Sequence, residues 1–130
     1  MSGEHQRSVD YFRPESMKKA AFSEAVRVGN MLYLSGRIGT DDSGKLVPGG
    51  IAEETRQTME TIKSTLERYG SSLDHVVKVT VMLADMGEWA AMNKIYVGYF
   101  PQHLPVRSAF GTTGLALGAR VEIECSAVLK

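Results

Sequence analysis

Two residues in this chain are suited to chemistry on a small acid. Arg107 sits behind a proline in Leu104-Pro105-Val106-Arg107-Ser108, and Glu122 lies in the run Val121-Glu122-Ile123-Glu124. A guanidinium is a planar fork of donors that matches a carboxylate. An acid such as Glu122 can orient or activate water. Side by side they would hold a small carboxylate while water attacks the neighbouring carbon. Taken as two isolated residues, the plainer reading is an ion pair at a strand end, because ordinary charge pairs are common. Glu124 shares the strand face of Glu122. Close approach of the two acids would raise one pKa and favour a base.

The remaining reactive residues offer less. His5, His75 and His103 are scattered without metal-ligand spacing, so no metal is expected. His103 reads as a solvated loop position. Cys125 is the single cysteine and alternates with Ile123 and Ala127. That pattern predicts a buried, inert thiol with no internal disulfide, as in a reducing cytosol. The balance of 15 Lys+Arg against 15 Asp+Glu lacks the basic field that a nucleic-acid partner needs. It also leaves little like-charge repulsion against self-association. No run approaches a membrane span, and residues 1–20 are polar and mixed in charge, without the apolar stretch of a signal peptide. The expectation is a cytoplasmic protein with neither a nucleic-acid nor a membrane partner. At 130 residues and 43% hydrophobic, the chain suffices for one domain with a real core. It reads as a loose lead-in over 1–17 and a single domain over 18–130.

The elements that must position these groups follow from periodicity. Residues 25–28 and 31–35 are strands flanking Gly29-Asn30, a hairpin turn dipeptide. Asp41 to Lys45 and Pro48-Gly49-Gly50 are turn chemistry. Ile51, Thr55, Met59, Ile62, Leu66 and Tyr69 recur at helical steps, predicting a helix over 51–69 that Gly70 stops. In the strand over 76–84, Val77, Val79, Val81 and Leu83 alternate with Lys78, Thr80 and Met82. A second helix over 87–100, capped by Asp85 or Gly87 and ended by Pro101, buries Trp89, Met92, Tyr96, Tyr99 and Phe100. Strands over 108–112 and 121–129 close the fold, joined through Gly114 and Gly118. Helices this few cover one face of a sheet, which gives a two-layer α+β domain. The uncovered face carries Glu122, Glu124, Lys78, Thr80 and Met82, and packing against other subunits would cover its aliphatic part.

Several ordered segments carry a family resemblance. They are Phe22-Ser23-Glu24-Ala25-Val26, Leu34-Ser35-Gly36-Arg37-Ile38-Gly39, Val76-Val77-Lys78-Val79-Thr80-Val81, and Met92-Asn93-Lys94-Ile95-Tyr96 leading to Tyr99-Phe100-Pro101. The Arg107 and Glu122 segments quoted above complete the set. Together, over roughly residues 18–129, they resemble the RidA (YjgF-type) proteins, reactive intermediate/imine deaminases formerly labelled L-PSP endoribonucleases. The resemblance implies a chorismate-mutase-like (bacillus type) α+β fold with a mixed six-stranded sheet and two helices on one face. It implies a homotrimer whose sheets form a central barrel, with ligand sites between subunits. The implied activity is cofactor-free hydrolysis of 2-imino or enamino acids, such as 2-iminobutanoate and 2-iminopropanoate, to 2-oxo acids and ammonia.

By position, Arg107 matches the arginine that binds the substrate carboxylate, and Glu122 the acid beside the attacking water. Ser35 and Asn93 match polar residues lining the cleft. Phe22 stands where many members have a tyrosine, so it reads as a hydrophobic wall. Ala109 stands where many bacterial members have a cysteine. Read from the residues, Ser35 can equally satisfy a turn, and Asn93 needs some partner for its amide. The leading expectation is therefore a trimeric enamine/imine deaminase. The rival, favoured by the missing hydroxyl at Phe22, is a non-catalytic module that binds 2-oxo acids in the same cleft. Ribonuclease activity finds no basic patch and no convergent histidine pair to support it.

Overall fold

Period-two runs and turn glycines fold the chain around one sheet. The computed structural model describes residues 8–130. β2 (Ala25–Val28) and β3 (Met31–Arg37) form the expected hairpin, with Val28 paired to Met31. Gly29 turns with φ 58°, a region that a residue without Cβ enters freely. β1 (Val9–Phe12) borders β2; β4 (Val76–Leu83), β5 (Val106–Gly111) and β6 (Val121–Val128) complete the far half, and the sheet order is β1-β2-β3-β6-β4-β5.

β1 (Val9–Phe12) is the element that the sequence does not announce. Residues 1–17 read as a loose lead-in, yet Val9–Phe12 pair antiparallel with β2. Asp10 stands opposite Arg27 and forms an ion pair with it. A strand of four residues with no fully buried position has no apolar pattern to find; its partners make it. Phe12 also stacks on Tyr69, with ring centroids 4.3 Å apart. Residues 1–7, with His5, lie outside the described residues.

The sheet is mixed. β4 and β5 run parallel, and their crossover is supplied by α2 (Trp89–Tyr96). α1 (Gly50–Arg68) connects β3 to β4, and Gly70 ends it at φ 90°. Met59, Ile62 and Leu66 of α1 and Met92 and Tyr96 of α2 share one core with Val121, Ile123, Cys125 and Ala127 of β6. The chain is thus α+β, six strands and two helices, as expected.

Three local expectations need correction. Val77 is 41% exposed while Val76 is buried, because the β4–β6 register shifts between Val76 and Lys78. That irregularity breaks the strict alternation read from the sequence. The second helix is α-helical only over Trp89–Tyr96, with short 3-10 turns before and after it. Trp89, placed in its buried stripe, is 39% exposed. β5 starts at Val106 rather than 108, so Arg107 lies within the strand rather than ahead of it.

One close approach sets the packing of α1 against the segment after β3. A Cβ on Gly39 would stand 2.7 Å from the carbonyl oxygen of Glu54 and 2.9 Å from its Cα. Backbone cannot yield as a flexible side chain does. Gly39→Ala is therefore expected to lower unfolding free energy in urea by about 1–3 kcal/mol, the usual cost of overpacking. An unchanged midpoint would show that the approach is not close.

Candidate active site

Arg107 is held by one face of α2. In the parallel β4–β5 pair it stands beside Val79, which is buried in the core, so the arginine points to the helical side of the sheet. There it meets Trp89, Asn93 and Tyr96, whose spacing of four and three residues aligns them on one helix face. Arg107 Nη1 donates to Asn93 Oδ1 at 2.6 Å. Its guanidinium carbon lies 4.8 Å from the Tyr96 ring centroid and 5.6 Å from that of Trp89. Both rings therefore add cation–π attraction. Val97, Leu104 and Pro105 help to enclose a cavity of about 240 Å³ beside the arginine. A guanidinium has five N–H donors. The hydrogen bond to Asn93 engages one nitrogen and leaves the fork able to take a carboxylate.

Tyr96 is nearly wholly buried, and its hydroxyl has no hydrogen-bond partner among the described residues. Burial pushes the phenol up to about 12, against the opposing pull of the Arg107 charge. It stays neutral beside the guanidinium.

Glu122 lies on the other face. Its neighbours Val121 and Ile123 point into the core, so it faces away from the helices. Its carboxylate rests against Gly36 of β3, and a Cβ at that position would collide with Oε2. The β3–β6 register breaks between Leu34 and Arg37, around this contact. Glu122 shares a cavity of about 430 Å³ with Phe22, Met17, Ile38, Arg37 and Ala116. Phe22 is 51% exposed and forms one wall.

Ser35 works behind that wall. Its hydroxyl donates to the Ser23 carbonyl at 2.6 Å, and its N–H donates to the Glu24 carbonyl at 3.1 Å. Both bonds fix the loop that presents Phe22. The five residues singled out from the sequence therefore fall into two groups. Arg107 and Asn93 lie on the helical side of the sheet; Glu122 and Phe22, with Ser35 behind them, belong to a separate cavity. The single chain does not bring the groups together.

Sequence reading misses four contributors. Trp89 and Tyr96 were read as core, although sharing a helix face with Asn93 was a signal that they surround the same partner. Gly36 was read only as part of a motif. The fourth is Glu24, which is buried and accepts from Arg68 Nη1 and Tyr69 Oη, each at 2.7 Å, and from Arg37 Nη1 at 3.2 Å. Burial pushes the Glu24 carboxyl up. The hydrogen bonds from Tyr69 and Arg68, with the charges of Arg68 and Arg37, outweigh that and hold it below 4.5. Cys125 is buried, which pushes its thiol up to about 12 and leaves it unreactive. Among the described residues, no cluster of three His, Cys, Asp or Glu side chains could hold a metal. No helix there is long and apolar enough to cross a membrane.

Residues 13–129 match the family described as Endoribonuclease L-PSP. The chain belongs to that family. A 2-iminobutanoate/2-iminopropanoate deaminase of Rattus norvegicus is 45% identical over 109 residues, covering 83% of this chain and 80% of the rat protein. Among solved structures, yeast Mmf1 superimposes with a TM-score of 0.85 at 35% identity, covering 95% of this chain and all of that one. RidA from an Antarctic Psychrobacter gives 0.81 at 35% identity, covering 85% and 89%. The L-PSP match contains both groups of site residues, and it bears out the RidA/YjgF resemblance read from the segments.

The Glu24 cluster generates a pH prediction. A carboxyl held below its ordinary 4.5 contributes stability that is present above that value and lost as pH falls through the folded pKa. Glu24→Gln should cost about 2 kcal/mol at neutral pH, the scale of hydrogen bonds to a charged group. The gap to wild type should then close on acidification below 4.5. Urea unfolding across that range tests this, and a gap that stays constant or widens in acid contradicts it.

Proposed function

We propose that this L-PSP-family protein is an imine deaminase. It hydrolyses short-lived 2-imino and enamino acids, including 2-iminobutanoate and 2-iminopropanoate, to 2-oxo acids and ammonia without a cofactor. The observation that carries the reading is Arg107, steadied by Asn93, Tyr96 and Trp89 with its fork available to a carboxylate. Relatives named as 2-iminobutanoate/2-iminopropanoate deaminases at 42–45% identity support it. With 15 basic and 15 acidic residues there is no basic excess to favour RNA, whatever the family's name suggests.

The complete site forms between protomers of a homotrimer with the chorismate-mutase-like (bacillus type) arrangement, its three sheets lining a central barrel. Arg107 of one subunit then faces the Glu122 cavity of the next. Two observations support this assembly. Arg107 and Glu122 lie on opposite faces within one chain, and the sheet surface away from the helices exposes Tyr33, Val106 and Phe110 at 48%, 68% and 46%. Such a surface calls for a partner.

In this site Arg107 pairs with the substrate carboxylate and orients the imine carbon. Glu122 accepts a proton from water as the water oxygen bonds to that carbon and the C=N electron pair moves to nitrogen, and it passes the proton on to that nitrogen. The resulting carbinolamine carries both OH and NH2. Its C–N bond breaks as the carbonyl forms, and the hydroxyl proton passes through Glu122 to the nitrogen, which leaves as ammonia. Imines hydrolyse readily, so orientation and a fixed positive charge suffice.

A second reading, a non-catalytic 2-oxo acid binding module, draws on one observation. Phe22 lines the Glu122 cavity, so the hydroxyl that many members carry there is missing from the site itself.

The tests separate these readings. Generate 2-iminobutanoate with an amino-acid oxidase, trap it with semicarbazide, and follow semicarbazone formation. Wild type should suppress it. Arg107→Lys keeps the charge but loses the fork, and should reduce turnover about a hundredfold, the scale for losing an aligned donor. Unchanged turnover in Arg107→Lys refutes the anchoring role. Binding of 2-oxobutanoate, followed by fluorescence of the single tryptophan, without suppression in wild type would favour the binding module. Gly36→Ala should lower kcat with little change in KM, because the added methyl displaces the Glu122 carboxylate; an unaltered kcat would sever that link.

A further inference from the structure

The turn that joins β5 to β6 holds a leucine in a backbone conformation that glycine and asparagine take most easily. Leu117 has φ 59° and ψ 17°, and among the described residues it is the one residue other than glycine with positive φ. In that region the Cβ of an L-residue crowds the neighbouring carbonyl, and a leucine side chain has no local hydrogen bond to offset the strain. The flanks keep the turn in this shape. Gly118 N–H donates to the Leu115 carbonyl at 3.2 Å, Ala119 N–H donates to the Ala116 carbonyl at 3.0 Å, and Ala119 is buried.

The side chain gains little inside its own chain. Leu117 is 67% exposed, so its isobutyl group lies largely in water. A glycine would relieve the backbone, and an asparagine would suit both backbone and solvent. A residue held against both local preferences points to a contact beyond the turn. Its place says which contact. Ala116, the preceding residue, lines the cavity that holds Glu122, so Leu117 stands at the rim of one half of the site.

The other half carries a matching surface. Leu104 and Val97 are exposed, and with Pro105 they line the cavity beside Arg107. The assembly proposed above sets the arginine of one protomer against the Glu122 cavity of the next. That apposition brings Leu117 of one copy to the Val97 and Leu104 rim of the other. Both surfaces are apolar, and joining them removes both from water.

We infer that Leu117 is a positioning residue: it docks against Val97, Leu104 and Pro105 of a second copy of this chain and sets the spacing of Arg107 from Glu122. The inference rests on the assembled deaminase reading and adds the contact that fixes the register of its two half-sites. A turn already held in one shape presents the leucine without further ordering when the copies meet.

Three variants and one cross-link test it. Leu117→Met keeps an apolar side chain, whereas Leu117→Asn and Leu117→Gly fit the turn and lose the contact. Sedimentation velocity over a dilution series, in urea sufficient to half-dissociate wild type, reads assembly without substrate. The concentration at which half of the chains are assembled should rise at least about tenfold in Leu117→Asn and Leu117→Gly, the scale of one leucine left in water, and stay near wild type in Leu117→Met. Without urea, at protein concentrations that restore assembly, Leu117→Asn should still turn over 2-iminobutanoate about tenfold more slowly, through kcat more than KM, because the half-sites meet in a looser register. In Leu104→Cys/Leu117→Cys, a short bifunctional thiol reagent should join chains into dimers and trimers on a denaturing gel, while either single variant leaves them separate; Cys125 is buried and stays out. A Leu117→Asn variant that assembles or turns over like wild type overturns the inference and leaves the deaminase reading standing. Cross-linking no greater in the double variant than in the single ones does the same. Absence of suppression in wild type removes the deaminase reading and the positioning role with it, and a wild type that is monomeric at every concentration removes the assembly and the inference together.

Discussion

β6 runs between β3 and β4, and its two-residue alternation decides which side of the sheet each functional group occupies. Val121, Ile123, Cys125 and Ala127 must enter the core, because the helices offer their apolar faces only there. Glu122 is therefore driven to the opposite side. A slip of one residue would bury Glu122 and Glu124 among aliphatics and expose the core set, at a cost no marginally stable domain could bear. Pairing transmits the same choice outward. Val79 of β4 stands beside Cys125 on one flank and Arg107 on the other. Fixing the core side of β6 thus fixes the arginine on the helical side.

The arginine tolerates that side because α2 is built to receive it. A guanidinium at the rim of an apolar layer needs hydrogen-bond acceptors and a surface that does not resent its charge. Asn93 supplies the acceptor, and the faces of Tyr96 and Trp89 supply negative quadrupole density. Glu24 solves the converse problem at the other end of the sheet, where a buried carboxylate is met by two arginines and a phenol. The difference is functional. Every strong partner of Glu24 is internal, so that cluster is closed. Arg107 has one hydrogen-bonded partner and two cushions, and so remains open to a ligand.

Much of this was legible in the sequence where period and burial coincide. The stripe through Ile51, Met59, Ile62 and Leu66 marks α1 to within a residue of its ends, and the alternation through Val121 and Ile123 marks β6. The same alternation places Glu122 on the face away from the helices. Legibility fails where a partner, not the pattern, decides. β1 exists because β2 has a free edge, and Val77 turns outward because β6 shifts register against β4. Trp89 looked like core on hydrophobicity alone, yet its place is set by a guanidinium from another element. The side of the sheet taken by Arg107 was likewise hidden, since it depends on β5 pairing parallel to β4 across the α2 crossover.

The division of Arg107 and Glu122 between two faces has a further consequence for any chemistry that uses both. A sheet cannot pass a side chain through itself, and rotamer changes at either position leave the backbone and core layer between them. Within one chain, cooperation would require dismantling the pairing of β6, which is the centre of the fold. The proposed association would achieve the same end by burying Tyr33, Val106 and Phe110, residues that the single chain leaves exposed. On the proposed reading, the energy that completes the site is drawn from apolar contact between subunits and not from strain within one. Ligand binding across the joint would then favour the assembled state by mass action, so that substrate and assembly stabilise each other.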